Sequence, residues 1–275
     1  MDTRANAPAE AFNLAELNRL LSTPGAVKWL TVLVFVCALL VMTVPHAASG
    51  RWGVPSPSGD GPDYDNIAVQ LSKGNGFSVD WDDQDFKSEY ESINQSGHYD
   101  YLSQRHGSGL TAYRPPLLPL LMAGSFKLFG RGFAPILVMN YLLTALTCAF
   151  VFLLVCRDFG LFPGLLFSVR FMVDPGIRLY SNSILTESLS CFLVILFMWC
   201  LLHTAEKKTW VWSFLSGLTL SLAFLARSIF IMWLPVILIA IYALARRQFV
   251  SQFQSCASAP HFHRIFHALL SSMDG

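Results

Sequence analysis

Charge is scarce in this chain: 13% of its 275 residues are Asp, Glu, Lys or Arg, and they nearly cancel, leaving a formal net charge of +1 and a pI near 7.7. No basic run stands out, so the field that would hold a nucleic acid is missing and that class of partner is excluded. Cysteine is sparse as well. Of the six, Cys37, Cys148, Cys156, Cys191 and Cys200 fall inside apolar runs, Cys256 lies in the tail, and none falls between residues 49 and 115. They read as small core hydrophobes, not as a disulfide framework. The acidic stretch Asp80, Asp82, Asp83 and Asp85 lacks the glycine and the closing bidentate Glu of a calcium loop. Gly74-Asn75-Gly76 lacks the preceding strand and the following Lys-Ser/Thr of a phosphate cradle, and is better read as a helix stop.

What the chain has in excess is apolar surface. Hydrophobic residues make up 53% and the mean hydropathy is +0.47, which requires a bilayer as solvent. Trp29 to Ala48 would span about 30 Å as a helix, the thickness of a hydrocarbon core, with Lys28 and Trp29 at its cytosolic end. It reads as an uncleaved anchor, because cleavage after Ala48 would put bulky His46 where a signal peptidase wants a small residue. Further apolar runs are Phe133 to Cys156, Leu161 to Tyr180, Leu189 to His203, Trp210 to Ala226 and Ile229 to Ala245. The last two need a hairpin near Arg227-Ser228, since one helix through both would be roughly 54 Å long. Pro116 to Gly130 is too short to cross, contains Lys127, and suits an interfacial helix. That arrangement gathers Lys28, Arg157, Lys207, Lys208, Arg246 and Arg247 on one side, so the positive-inside rule gives six spans with both termini cytosolic. Arg170 then falls deep in the third span, where Asp174 four residues on supplies a partner.

The expected fold class is an all-α polytopic membrane protein. Residues 1–28 form a cytosolic amino-terminal segment and 29–247 a transmembrane domain, with an extracytoplasmic loop at 49–115 and the interfacial helix at 116–130. Residues 248–275 form a polar cytosolic tail in which His263 and His267 share a helix face, too few ligands for a metal site. The loop opens on Gly50, Gly53, Pro55, Pro57, Gly59, Gly61 and Pro62, a composition that admits no regular element. Tyr64, Ile67, Ala68 and Leu71 then recur at helical spacing, predicting a short amphipathic helix on the membrane surface that Gly74 and Gly76 stop. Acids crowd the loop: Asp60, Asp63, Asp65, Asp80, Asp82, Asp83, Asp85, Glu89, Glu91 and Asp100, read mostly as solvated. His98 and His106 could join them around a metal, but their spacing fits no ligand pattern.

Several of these residues fall in a familiar order: Asp60-Gly61-Pro62-Asp63-Tyr64, then Ala68, Leu71, Gly74-Asn75-Gly76-Phe77-Ser78, then Tyr113-Arg114-Pro115-Pro116, and Thr186-Glu187-Ser188-Leu189. Together they resemble the amino-terminal half of a GT-C membrane glycosyltransferase of the family 39, protein mannosyltransferase-like group, over roughly residues 27–245. The resemblance implies a GT-C-like helix bundle with a large first extracytoplasmic loop containing interfacial helices. It also implies a polyprenyl-phosphate sugar as donor, a lipid, glycan or protein hydroxyl as acceptor, and a loop Asp as general base. Asp60, four residues before Tyr64, takes that role, with Asp63 in reserve. The leaving group is already a phosphate, so it needs positive charge more than an acid, and Arg114 stands at a basic family position. No second carboxylate need act as nucleophile, so inversion is expected.

Glu187 corresponds to a second acidic position that could orient the acceptor or a divalent metal, and no other cofactor is implied. Its alternative is a helix-start residue favoured by the dipole, with Ser183 or Thr186 capping nearby. Arg178 and Arg227 could meet the donor phosphate or could simply snorkel at the membrane edge. The family places such a chain in the bacterial inner (plasma) membrane with the loop outside the cytosol. Relatives usually continue through further spans, so the tail at 248–275 reads as shortened or altered. Two other classes fit less of the pattern. One is a transporter or channel component, suggested by the spans and Arg170 but without an internal repeat. The other is a shortened, non-catalytic remnant that binds lipid or a partner.

Overall fold

The computed structural model describes residues 23–49, 59–94, 107–235, 237–239 and 242. Its first helix, α1 (Pro24–Ala48), starts where Thr23 Oγ1 accepts the Ala26 amide at 3.4 Å and Pro24 supplies a preset φ. Val34, Ala38 and Met42 recur every four residues on its buried stripe, while Trp29, Val32, Leu33, Val36, Leu40 and Val44 are exposed. An apolar flank of that size is a liability in water and is what lipid solvates. The loop follows, with α2 (Gly61–Lys73), the two-residue strands β1 (Ser78–Val79) and β2 (Gly109–Leu110), α3 (Gln84–Asn94) and α4 (Leu117–Phe129). The strands pair antiparallel, Ser78 opposite Leu110 and Val79 opposite Gly109. The bundle continues with α5 (Ala134–Phe159), α6 (Leu161–Val173), α7 (Pro175–Ser181), α8 (Glu187–Lys207) and α9 (Trp210–Ala226).

The protein is an all-α polytopic membrane protein, and among the described residues α1, α5 and α8 are long and apolar enough to cross a bilayer. The third apolar run is not one continuous helix. It breaks at Asp174, which is extended (φ −64°, ψ 123°) because Pro175 follows, and whose Oδ1 accepts the Gly176 and Ile177 amides to start α7. Arg170 stands in the last turn of a 13-residue helix, exposed and paired at 2.7 Å with Asp174 Oδ2, the partner expected four residues on. Helix α9 breaks where the sequence asked for an interruption: it stops at Ala226, and Arg227 is extended (φ −154°, ψ 111°).

Val34, Ala38, Ala145, Cys148, Phe152, Leu161 and Met172 make the core between α1, α5 and α6. A Cβ on Gly164 would sit 3.3 Å from the Cys156 backbone, so the close approach of α6 to the end of α5 leaves little room for a side chain there. At the same end Arg157 Nη2 meets Glu206 Oε1 at 2.7 Å. At the other end Tyr141 Oη donates to Asn182 Oδ1 at 2.7 Å and Asn140 Nδ2 to the Ser183 carbonyl at 2.8 Å. Helices α5 and α8 therefore run in the same direction, and α6 with α7 makes the return between them. Residues from Ser228 onward form a separate unit, whose described part is a 3-10 turn, Ser228–Trp233, followed by short helical pieces. The lead-in 50–58, His98, Asp100, His106, Arg246, Arg247, the segment 1–22 and the tail 248–275 with His263 and His267 lie outside the described residues.

The loop departs from its sequence reading. Helix α2 starts at Gly61, and every residue from Gly61 to Gln70 is buried, so it is not an amphipathic helix resting on a surface. Helix α4 covers one side and β1 and α3 the others. Gly74, at φ 87°, ends it in the left-handed region. Nor are all the acids solvated. Asp83 accepts from Gln70 Nε2 at 2.8 Å and pairs with Lys73, while Asn66 exchanges two hydrogen bonds with the Asp80 backbone at 2.8 and 2.9 Å.

Asp65 is fully buried, with Oδ2 2.8 Å from Arg131 Nη2. Burial lifts its carboxyl from 3.8 to about 6, against the pull of Arg131. Between those values the folded chain holds a proton that the unfolded chain has released, so this group's contribution to stability falls as pH rises through the window and is level above it. Two units correspond to roughly 3 kcal/mol. Thermal midpoints measured in detergent should show it: relative to Asp65→Asn, the natural chain loses stability from about pH 4 to about pH 6, then keeps a constant difference.

Candidate active site

Asp60 occupies the position before the first turn of α2 (φ −85°, ψ −9°) but makes no capping hydrogen bond. Its carboxylate turns instead to Arg114. Asp63, one turn on, lies on the same face of the helix. Arg114 stands just ahead of Pro115-Pro116, whose rings restrict the backbone leading into α4. Its Nη2 is 2.6 Å from Asp60 Oδ1, its Nε donates to Asp63 Oδ2 at 3.0 Å, and Nη2 also reaches that Asp63 oxygen. The guanidinium lies near two aromatic rings, 4.6 Å from the Tyr113 centroid and 5.6 Å from that of Tyr64.

The two carboxylates differ in setting. The side chain of Asp63 is 5% exposed, that of Asp60 49%. Burial holds the Asp63 carboxyl above its ordinary value although Arg114 opposes the shift. For Arg114, burial works against the charged form, but Asp63 and Asp60 outweigh it and hold the guanidinium more firmly protonated than usual.

A second pair closes on the first. Glu187 begins α8, and its Oε1 accepts from Arg227 Nη1 at 3.0 Å just beyond the end of α9. The expected caps are not formed: Thr186 makes no capping hydrogen bond, and Ser183 Oγ donates to the Leu179 carbonyl at 2.8 Å. The Thr186 side chain lies against the Tyr64 phenol instead. Burial raises the phenol above its ordinary range, and the charges of Arg114, Asp60 and Glu187 all reach it. Tyr64 therefore joins the loop cluster to the mouth of the bundle, a role its spacing to Asp60 did not reveal. Arg178 is held elsewhere, its Nε donating to the Met172 carbonyl at 3.3 Å.

A cavity of about 480 Å³ opens beside the cluster, walled by Asp63, Arg114, Ile67, Trp81, Thr111 and Tyr113 among others. That volume is in the range of small-molecule sites, and its aromatic and hydroxyl walls suit a polar guest with apolar faces. Among the described residues no three His, Cys, Asp or Glu side chains converge as a metal site. Sequence reasoning missed Tyr113, which stacks on Arg114, and Arg131, which follows Gly130 in a short connection with no motif around it.

The family model of dolichyl-phosphate-mannose-protein mannosyltransferases matches residues 113–268, more than half of the chain. The match takes in Arg114, Glu187 and Arg227 and begins after Asp60 and Asp63. No curated protein and no solved structure matches.

Proposed function

The chain belongs to the dolichyl-phosphate-mannose-protein mannosyltransferase family, as a membrane glycosyltransferase, and on that premise we propose that it moves a hexosyl or pentosyl group from a polyprenyl-phosphate donor to an acceptor hydroxyl, with inversion, where Asp60 meets Arg114. The observation that carries this reading is the fork of Arg114 across Asp60 and Asp63 at the wall of an open cavity. Asp60 is half-exposed with one oxygen engaged, so its carboxylate can take the proton of an incoming hydroxyl. Asp63, buried and bound by two guanidinium nitrogens, holds Arg114.

In the reaction the acceptor oxygen forms a bond to the anomeric carbon on the face opposite the phosphate. Its proton passes to Asp60, and the bond to the phosphate oxygen breaks with its electron pair staying on the lipid phosphate. Arg114 offsets the charge that develops there, and Arg227 with Arg178 lies at the same end of the bundle to receive the phosphate. Glu187 orients the acceptor or a divalent metal.

The acceptor, a lipid, glycan or protein hydroxyl, enters through the cavity. Residues 29–247 act as one transmembrane domain flanked by cytosolic segments at 1–28 and 248–275, with the loop 49–115 and the helix 116–130 outside the cytosol of a bacterial inner (plasma) membrane. Arg157, Lys207 and Lys208 at the opposite end of the bundle support that orientation.

Two readouts in cells expressing the chain test this. Membranes supplied with a radiolabelled polyprenyl-phosphate sugar should transfer label above an empty-vector control. An impermeant thiol reagent should label Ser108→Cys in intact cells. Absence of transfer from every lipid-linked sugar tried, or labelling only after lysis, would contradict the reading.

A further inference from the structure

Helix α2 carries acids on two faces, and both are gripped by arginines that bracket the same partner helix. Asp60 and Asp63 meet Arg114, just before α4, whereas Asp65 meets Arg131, just after it. Asp65 is two residues beyond Asp63, about 200° around the helix, so the two grips act from nearly opposite sides. Helices α2 and α4 pack along each other between the two arginines. Arg131 also ties in α3: its Nη2 donates to the Phe86 carbonyl at 3.2 Å and its guanidinium lies 5.8 Å from the Phe86 ring. Tyr90, fully buried on α3, faces Asp65.

This second pair is a poor choice for stability alone. Arg131 Nε and Arg131 Nη1 are buried with no hydrogen-bond partner among the described residues. A buried ion pair seldom outdoes well-packed apolar side chains of the same volume, and a partly satisfied one does worse. What such a pair can supply is direction. A rotation of α2 that carried Asp60 and Asp63 away from Arg114 would leave Asp65 charged, buried and without Arg131, so the second grip penalises it. The Arg114 fork alone resists that rotation less, because its guanidinium can swing after the two acids, whereas Arg131 is also tied to the Phe86 carbonyl and ring on α3.

The geometry points to Asp65 and Arg131 as positioning residues that set the rotation of α2 and so present Asp60 and Asp63 to Arg114 at the cavity wall. This role in turnover presupposes that Asp60 and Arg114 are the reacting centre. The holding of α2 does not.

The test uses the full chain in nanodiscs, with spin labels attached by non-thiol chemistry at positions 72 and 121, on α2 and α4. The natural chain should give a narrow distance distribution. Asp65→Asn and the apolar double variant Asp65→Leu/Arg131→Met should broaden or shift it, and Arg131→Lys, which keeps the charge, should restore most of it. The double variant should match or exceed the natural thermal midpoint, yet lose about 10²-fold in kcat with KM for the lipid donor little changed, the cost expected of a small misplacement. An unchanged distance distribution in the double variant overturns the proposal, as does natural kcat in it. A kcat loss that only tracks a fall in thermal midpoint assigns the pair to stability and overturns it too. If the natural chain transfers no lipid-linked sugar, the proposed function fails, and the distance distributions still decide whether the pair holds α2.

Discussion

Replacing Asp60 with Asn lowers kcat for sugar transfer by about 10²- to 10⁴-fold while KM for the lipid donor stays near that of the natural chain. Asn keeps the size of the side chain and an oxygen for Arg114 Nη2, but cannot take a proton from the attacking hydroxyl. Asp63, bound through Arg114 Nε and Nη2, continues to hold the guanidinium where the phosphate departs. Asp63→Asn behaves differently. Its side chain is 5% exposed and anchors the fork, so the variant loses donor affinity together with kcat. It also loses about 1–3 kcal/mol of stability, the usual cost of disturbing a buried charged hydrogen bond. Initial rates over a range of donor concentrations separate the two patterns. If Asp60→Asn kept natural kcat, or raised KM as Asp63→Asn does, Asp60 would not be the base.

Arg114→Ala is the second large effect, a loss of about 10²- to 10³-fold in kcat, the range found when one charge-stabilising donor is removed from a site of developing anionic charge. It removes the guanidinium that bridges the two loop acids. The Asp63 carboxyl, already raised by burial, should move further up, since Arg114 is what opposes that shift. Arg114→Lys should recover only part of the loss. An ammonium keeps the charge but cannot spread two nitrogens over Asp60 and Asp63 or offer a planar cation to the Tyr113 and Tyr64 rings. Binding of sugar-free polyprenyl phosphate, measured beside kcat, should weaken in the order natural chain, Lys variant, Ala variant. Equal binding by all three would remove Arg114 from the phosphate site.

Much of the bundle was legible because a bilayer imposes a length. Helices α1, α5 and α8, of 25, 26 and 21 residues, are long enough to cross, and their ends fall within a few residues of the apolar runs in the sequence. The run from Leu161 to Tyr180 forms two helices because Pro175 favours an extended Asp174 before it, an interruption that apolar content alone does not register. In the loop, charge was taken to mean water. Asp63 and Asp65 instead pair with arginines 51 and 66 residues away, and no local periodicity announces a partner at such a distance. Asp60, Asp63, Arg114 and Glu187 were marked by the order of short motifs. That Glu187 would meet Arg227, and that Tyr64 would stand between the two pairs, depends on how α8, α9 and the loop close on one another.

A cryo-electron microscopy structure of the chain in a nanodisc with bound polyprenyl phosphate addresses the site most directly. The phosphate is expected within hydrogen-bond distance of Arg114, beside the Asp60 carboxylate and on the side of the bundle where Glu187 meets Arg227. Phosphate density at the other end, next to Arg157 and His203, with Arg114 still closed on Asp63, would contradict the account.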